Sequence, residues 1–127
     1  MMKPVVFIVV SLALIIGFGL LYTSMVERQC KDMINRLEEV YGMIQNNNWE
    51  TASSELRQAD IKWQDIRKIW HAFTDHTNID DIDESFVRLK ALAKAQKAED
   101  CLIEIAVLRN KLINVPARER LTLSNIF

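Results

Sequence analysis

Apolar and polar positions divide the chain into one unbroken apolar block and a long remainder in which apolar residues recur at steps of three and four. The block, residues 4–26, carries no charged side chain. A helix rising ~1.5 Å per residue covers roughly 30–35 Å over that length, enough to cross the hydrocarbon core of a bilayer. It also outruns the roughly 7–15 apolar residues of a signal-peptide core. The block therefore predicts a single transmembrane helix within residues 1–26. The alternative is a cleaved signal peptide, but the exit Leu21, Tyr22, Thr23, Ser24, Met25, Val26 offers no A-x-A-like site of small residues, and Cys30 is not preceded by a lipoprotein-type Leu-x-x. Gly17 and Gly19 lie in the block, two residues apart and not four, so they do not form the small-residue motif of paired membrane helices.

The remainder, residues 27–127, reads as one all-α domain. Neither glycine nor proline occurs between Gly42 and Pro116, which excludes most β architectures because their tight turns need those residues. The clearest helical stripe is Trp49, Ala52, Leu56, Ala59, Trp63, Ile66, Trp70 and Phe73, a heptad pattern in which all three tryptophans share one position. Such a stripe is either an aromatic binding platform or a bundle core. Large rings alternating with Ala52 and Ala59 suit a core, where bulky and thin layers interdigitate. Trp70, near the helix end, has the further alternative of a place at the lipid headgroups.

Met33, Ile34, Leu37, Val40, Tyr41 and Ile44 form a looser face ahead of the polar triplet Asn46, Asn47, Asn48, with Asn48 placed to cap the next helix. Asp81 with Glu84 resembles a capping box for a third helix. That helix uses Ile82, Phe86, Leu89 and Ala93, then Cys101, Leu102, Ile105, Leu108 and Leu112, and Val115 with Pro116 ends it. The pattern thus predicts helices over 27–46, 49–77 and 82–114 and a tail, 115–127, docked through Ile126 and Phe127. The fold expected is all-α: a single N-terminal transmembrane helix continuing into an antiparallel three-helix bundle. Short connections make neighbours antiparallel, so residues 75–84 should lie near the bilayer surface, with residues 46–48 and the C-terminal tail far from it.

Charge adds little to this picture. The chain has 16 Lys plus Arg against 17 Asp plus Glu, a formal net charge of −1, and Lys3 is the only charge before Glu27. A mildly acidic domain with its bases Arg57, Lys62, Arg67 and Lys68 interleaved with Glu55, Asp60 and Asp65 is not a nucleic-acid footprint. Orientation is left open by charge, because Arg28, Lys31 and Arg36 favour a cytoplasmic domain but are mixed with Glu27, Asp32, Glu38 and Glu39. Cys30 and Cys101 fall at different heights in the expected bundle and should be free thiols.

Candidate chemistry concentrates in residues 75–84, where Asp75, Asp80, Asp81, Asp83 and Glu84 stand beside His76, with His71 a turn earlier. A cation site there would draw on His76, Asp80, Asp81 and Asp83, the carboxylates suiting calcium or magnesium and the imidazole zinc or manganese. However, there is no calcium-loop spacing, no loop glycine and no H-E-x-x-H. Acids at a helix start and histidines at a helix end are accounted for by capping and the helix dipole. On that account no metal and no cofactor is expected, and Asp83→Asn changes stability by under about 1 kcal/mol. Adjacent acids such as Glu38 with Glu39, or Glu99 with Asp100, point to different helix faces. With no nucleophile elbow and no phosphate loop, the chain is not expected to be an enzyme.

Several of these residues carry a resemblance. Trp49 with Glu50 and Ala52 after a polar turn, Trp63 and Trp70 one heptad apart, the His76, Ile79, Asp80, Ile82 stretch, and the ending Leu121, Thr122, Leu123, then Asn125, Ile126, Phe127 are similar to those of a family of small bacterial proteins, chiefly from Firmicutes, known only as domain of unknown function number 4363. Thr77 and Asn78 stand where the family pattern has an acid. The resemblance implies an N-terminal anchor with a helical domain outside the cytoplasmic membrane, and no activity to transfer. The function expected is that of a single-pass cell-membrane protein, in contact with the lipid bilayer and serving as an accessory partner of another membrane protein. The alternative is an extracytoplasmic ligand or cation sensor built on residues 75–84.

Overall fold

The computed structural model describes residues 2–126, with side-chain surroundings through Glu119. It is all-α, with α1 (Met2–Gln45), α2 (Trp49–Trp70), α3 (His76–Lys94) and α4 (Ala98–Ile126) and no strand among the described residues. The helix α1 runs without interruption from the apolar block into the domain. Every large apolar side chain from Val5 to Leu21 is exposed, and this half of α1 is long and apolar enough to cross a membrane. Packing starts at Tyr22 and Thr23, about a turn before the boundary at residue 26 that charge alone suggests.

The second half of α1 joins α2, α3 and α4 in an up-down-up-down bundle: each helix packs on the two beside it, and the diagonal pairs α1 with α3 and α2 with α4 do not meet. The expected third helix over 82–114 is therefore two helices, and the bundle has four. Helix α2 has 22 residues, or about 33 Å, whereas an unbroken helix over 82–114 would reach about 50 Å and leave about a third of its stripe without a partner. The chain turns back at Ala95, Gln96 and Lys97, so the C-terminal end of α4 comes to the foot of the bundle, beside the apolar half of α1, and not to the far tip. Nor does α4 stop at Pro116; the proline is inside the helix and buried. Its ring removes one backbone hydrogen bond at a cost of about 3 kcal/mol, which the burial of Leu112 and Val115 offsets. The expected docking of the tail through Leu121 to Phe127 concerns side chains outside those described.

Both tip turns are built alike. Asn48 N–H donates to Met43 C=O (2.9 Å) and Asn47 N–H to Ile44 C=O (3.0 Å), while Lys97 N–H donates to Leu92 C=O (3.1 Å) and Gln96 N–H to Ala93 C=O (3.0 Å). Each is a Schellman motif with its left-handed residue, Asn47 at φ 58° and Gln96 at φ 53°. Asn48 occupies the N-cap position of α2 without a side-chain cap hydrogen bond.

The likeness extends through the core. The buried positions Cys30, Met33, Leu37, Val40 and Ile44 recur 49 residues later as Ile79, Ile82, Phe86, Leu89 and Ala93. Those of α2, namely Ala52, Leu56, Ala59, Trp63 and Ile66, recur as Cys101, Ile105, Leu108, Leu112 and Val115. The bundle is thus a helical hairpin repeated in register, α1 with α2 and then α3 with α4. The tryptophan stripe is core: Trp63 and Trp70 are each 1 % exposed, their rings meeting edge to face at 5.3 Å, and Trp63 stacks on Phe86 at 6.2 Å. Trp49 is half-buried against that core. Phe73 leaves the stripe, because α2 ends at Trp70 and not at Thr77; it is 70 % exposed.

Candidate functional site

The hairpin repeat departs from its apolar pattern at the foot of the bundle, where buried Val26 answers to Asp75. Where α2 has Trp70, α4 has Glu119, a half-buried carboxylate at a core register position on the foot of the bundle. Burial raises its pKa above the ordinary carboxylate value, and nearby Asp75 adds to the rise against a hydrogen bond from Thr74. Thr74 also bonds the Tyr22 hydroxyl. A threonine has one proton to give, so with Glu119 as acceptor the chain runs from Tyr22 O–H to Thr74 and from Thr74 O–H to the carboxylate. Cys30 lies within reach of the same charge; burial first, then Glu119 and Glu27, push its thiol up to about 12.

Around this chain the foot is tied together by polar contacts from every helix. Trp70 Nε1 donates to Gln29 Oε1 at 2.8 Å, fixing the end of α2 to α1. Arg118 Nη1 donates to Asn78 Oδ1, fixing α4 to the start of α3. The exposed Phe73 ring lies 5.1 Å from Tyr22, tilted by 53°. Between the turn and the end of α4 is a cleft of about 570 Å³ lined by Phe73, Asp75, Thr77, Asn78, Arg118 and Glu119. Both charge signs and an aromatic ring line it.

The acidic turn is organised differently from a metal site. Asp75, not Asp81, caps α3, its carboxylate accepting from Thr77 N–H at 3.0 Å, and Asp81 lies inside the helix. Asp83 is committed to structure: it accepts from Trp63 Nε1 at 2.6 Å and pairs with Arg67 at 2.8 Å. Asp81 contributes its backbone carbonyl to Lys111, while Asp80 is exposed. His76 faces His71 instead, Nδ1 to Nδ1 at 3.1 Å, one ring donating and the other accepting. So His76, Asp80, Asp81 and Asp83 are not brought together, and among the described residues no three His, Cys, Asp or Glu side chains are grouped to hold an ion. The interleaved charges of α2 serve the neighbouring helix as well as their own, Asp60 pairing with Lys90 at 2.8 Å. Cys30 and Cys101 are buried free thiols at opposite ends of the bundle.

A family model described as Domain of unknown function (DUF4363) matches residues 20–126. The chain belongs to this family. The match opens within a turn of Tyr22, where packing begins, and takes in the bundle part of α1 together with α2, α3 and α4. No curated protein and no solved structure matches the chain.

The foot cluster was not legible from spacing. Tyr22, Thr74 and Glu119 are distant in sequence, and they meet only because an even number of helices returns the chain to its starting end. The available signal was the glutamate itself, an acid in phase with Leu112 and Val115.

Proposed function

We propose that this chain is a single-pass protein of the cell membrane whose bundle stands outside the cytoplasm and acts, without catalysis, as an accessory partner of another membrane protein. The observation that supports this most is the continuity of α1. One helix carries the apolar segment and a quarter of the bundle, so the domain is held upright on its span with no flexible linker. Burial raises the pKa of both thiols and shields them from solvent, the opposite of an activated nucleophile. A cation sensor on residues 75–84 has less support, since Asp83 and Asp75 already serve Trp63, Arg67 and the α3 N-terminus.

The test is a photocrosslinking amino acid placed at Phe73, the exposed ring at the foot, in the full chain in its native membrane. The expected product is a stoichiometric adduct with one membrane protein, protected from carbonate extraction. Adducts with lipid alone would remove the partner reading. Digestion of intact cells with added protease should cleave the bundle; protection until lysis would place it inside.

A further inference from the structure

Helix α4 carries a second heptad stripe on the side facing away from its own bundle: Ile103, Ala106, Asn110, Ile113 and Ala117, at steps of three, four, three and four. Ile103 is 62 % exposed and Ile113 45 %. Val107, 40 % exposed, and Asn114 widen the stripe, and no charged residue falls within it across about 21 Å of helix. A helix apolar on both sides is one that is covered on both sides.

The hairpin repeat supplies the control. The register positions on α2 that answer to this face hold Arg57, Gln58, Ile61, Gln64, Asp65 and Lys68. The same place in the same fold is charged in one hairpin and uncharged in the other, so the fold itself does not demand the bare face on α4. Charged side chains flanking the stripe are turned to their own chain: Arg109 pairs with Glu38 at 2.9 Å, Glu104 with Arg88 at 3.2 Å, and Lys111 donates to Ser85 at 2.8 Å.

We propose that this face docks a second copy of the chain, α4 against α4 in parallel and in register. The stripe is self-complementary. About a two-fold axis along the membrane normal, Ile103, Asn110 and Ala117 each meet their own counterpart, as do Ala106 and Ile113, and no layer buries a charge. Asn110 makes no side-chain hydrogen bond within the described residues, and an amide both donates and accepts, so two copies satisfy each other. A single polar residue at such a position fixes register and favours two strands. Ala106 and Ala117 leave room for close approach. Two heptads bury less than the ~1,200 Å² of a stable interface between free proteins, so the pairing needs partners already confined to one membrane, where effective concentration is high. This rests on the anchored reading above, and it commits to a second copy because two copies share both anchor and orientation.

The test is oxidative crosslinking of single substitutions in the full chain, in native membranes, with Cys30 and Cys101 left buried. Asn110→Cys and Ile103→Cys should convert the 14.7 kDa chain to a product of twice that mass, while Ile61→Cys, the equivalent position on α2, stays monomeric. Adding Asn110→Lys to Ile103→Cys should lower the crosslink roughly tenfold or more with helicity unchanged. Absence of the doubled product from protein that is folded and retained after carbonate washing overturns the dimer alone. A crosslink to a protein of another mass overturns it too and gives the face to a different partner. Loss of the chain to the wash overturns the anchored reading, and the dimer with it.

Discussion

The contact between Trp63 and Asp83 tests whether the acidic turn serves the core. Trp63 is 1 % exposed, and its indole N–H donates to Asp83 Oδ1 at 2.6 Å, while the other carboxylate oxygen pairs with Arg67 at 2.8 Å. A hydrogen bond to a charged acceptor contributes about 1.5–3 kcal/mol and a neutral one about 0.5–1.5. Asn keeps an acceptor but not the charge, and the partly exposed pair with Arg67 adds about 0–1 kcal/mol. Asp83→Asn should therefore cost about 1–2 kcal/mol, more than the capping account allows, and Asp83→Ala about 2–3, because the indole N–H is then buried unpaired. Trp63→Ala, which empties the ring site between Trp70 and Phe86, should cost about 3–5 kcal/mol. The direct assay is a double-mutant cycle of Asp83→Asn with Trp63→Phe, read by denaturant unfolding of the full chain in micelles through helical circular dichroism. A coupling near 1 kcal/mol is expected; additivity within about 0.5 kcal/mol would refute the hydrogen bond as a stabilising contact.

Three further predictions follow from the foot and the tip. The Cys30 thiol ionises near 9 in the unfolded chain but only near about 12 in the bundle, so its contribution to stability is complete below pH 9 and is lost as pH rises from there; Cys30→Ala should flatten alkaline melting curves, and rapid native-state alkylation at pH 8 would contradict the burial. Glu119 has a raised pKa, so the bundle favours its neutral form: Glu119→Gln should raise the melting temperature at pH 7, with the gain narrowing as pH falls to the carboxylate range, and a pH-independent difference would count against desolvation as the cause. Gln96 sits at φ 53°, where a side chain is strained, so Gln96→Gly should stabilise by about 0.5–1 kcal/mol in thermal melts, and destabilisation would mean the side chain has a role the turn does not show.

Helix content and the tryptophan core were legible from apolar steps of three and four, and the apolar half of α1 from its uncharged length. The turn at residues 95–97 was not, and for a specific reason. Proteins usually mark a Schellman turn with glycine or asparagine, as Asn47 does here, but Gln96 takes the left-handed conformation with neither. Between Ala93 and Cys101 the buried stripe shifts by roughly 80° at ~100° per residue, a displacement that the drift of a straight helix against a heptad also produces, so the shift did not mark a break. Stripe length was the missed signal: α2 could cover only about two thirds of a helix over 82–114. One unseen turn then misplaced everything after it, sending the end of α4 to the tip and hiding the meeting of Glu119 with Thr74 and Tyr22.

The corrected helix count changes what the foot of the bundle can do. With three helices the foot would hold one turn, residues 71–75; with four it also holds the last turns of α4, and these bring Arg118 and Glu119 to an edge otherwise made of Phe73, Asp75 and Asn78. Each helix then has a polar tie at this end, and none is a covalent or metal staple. The uninterrupted α1 couples these ties to the apolar segment, because its face Val26, Cys30 and Met33 cannot rotate without displacing all of them. Any tilt or turn of the apolar half of α1 would therefore be felt first at Tyr22, Thr74 and Glu119. Weakening that chain with Thr74→Val should speed amide exchange in residues 71–78 while leaving the tip turns at 46–48 and 95–97 unchanged, and uniform loosening of the whole bundle would show that the foot is not a separate unit.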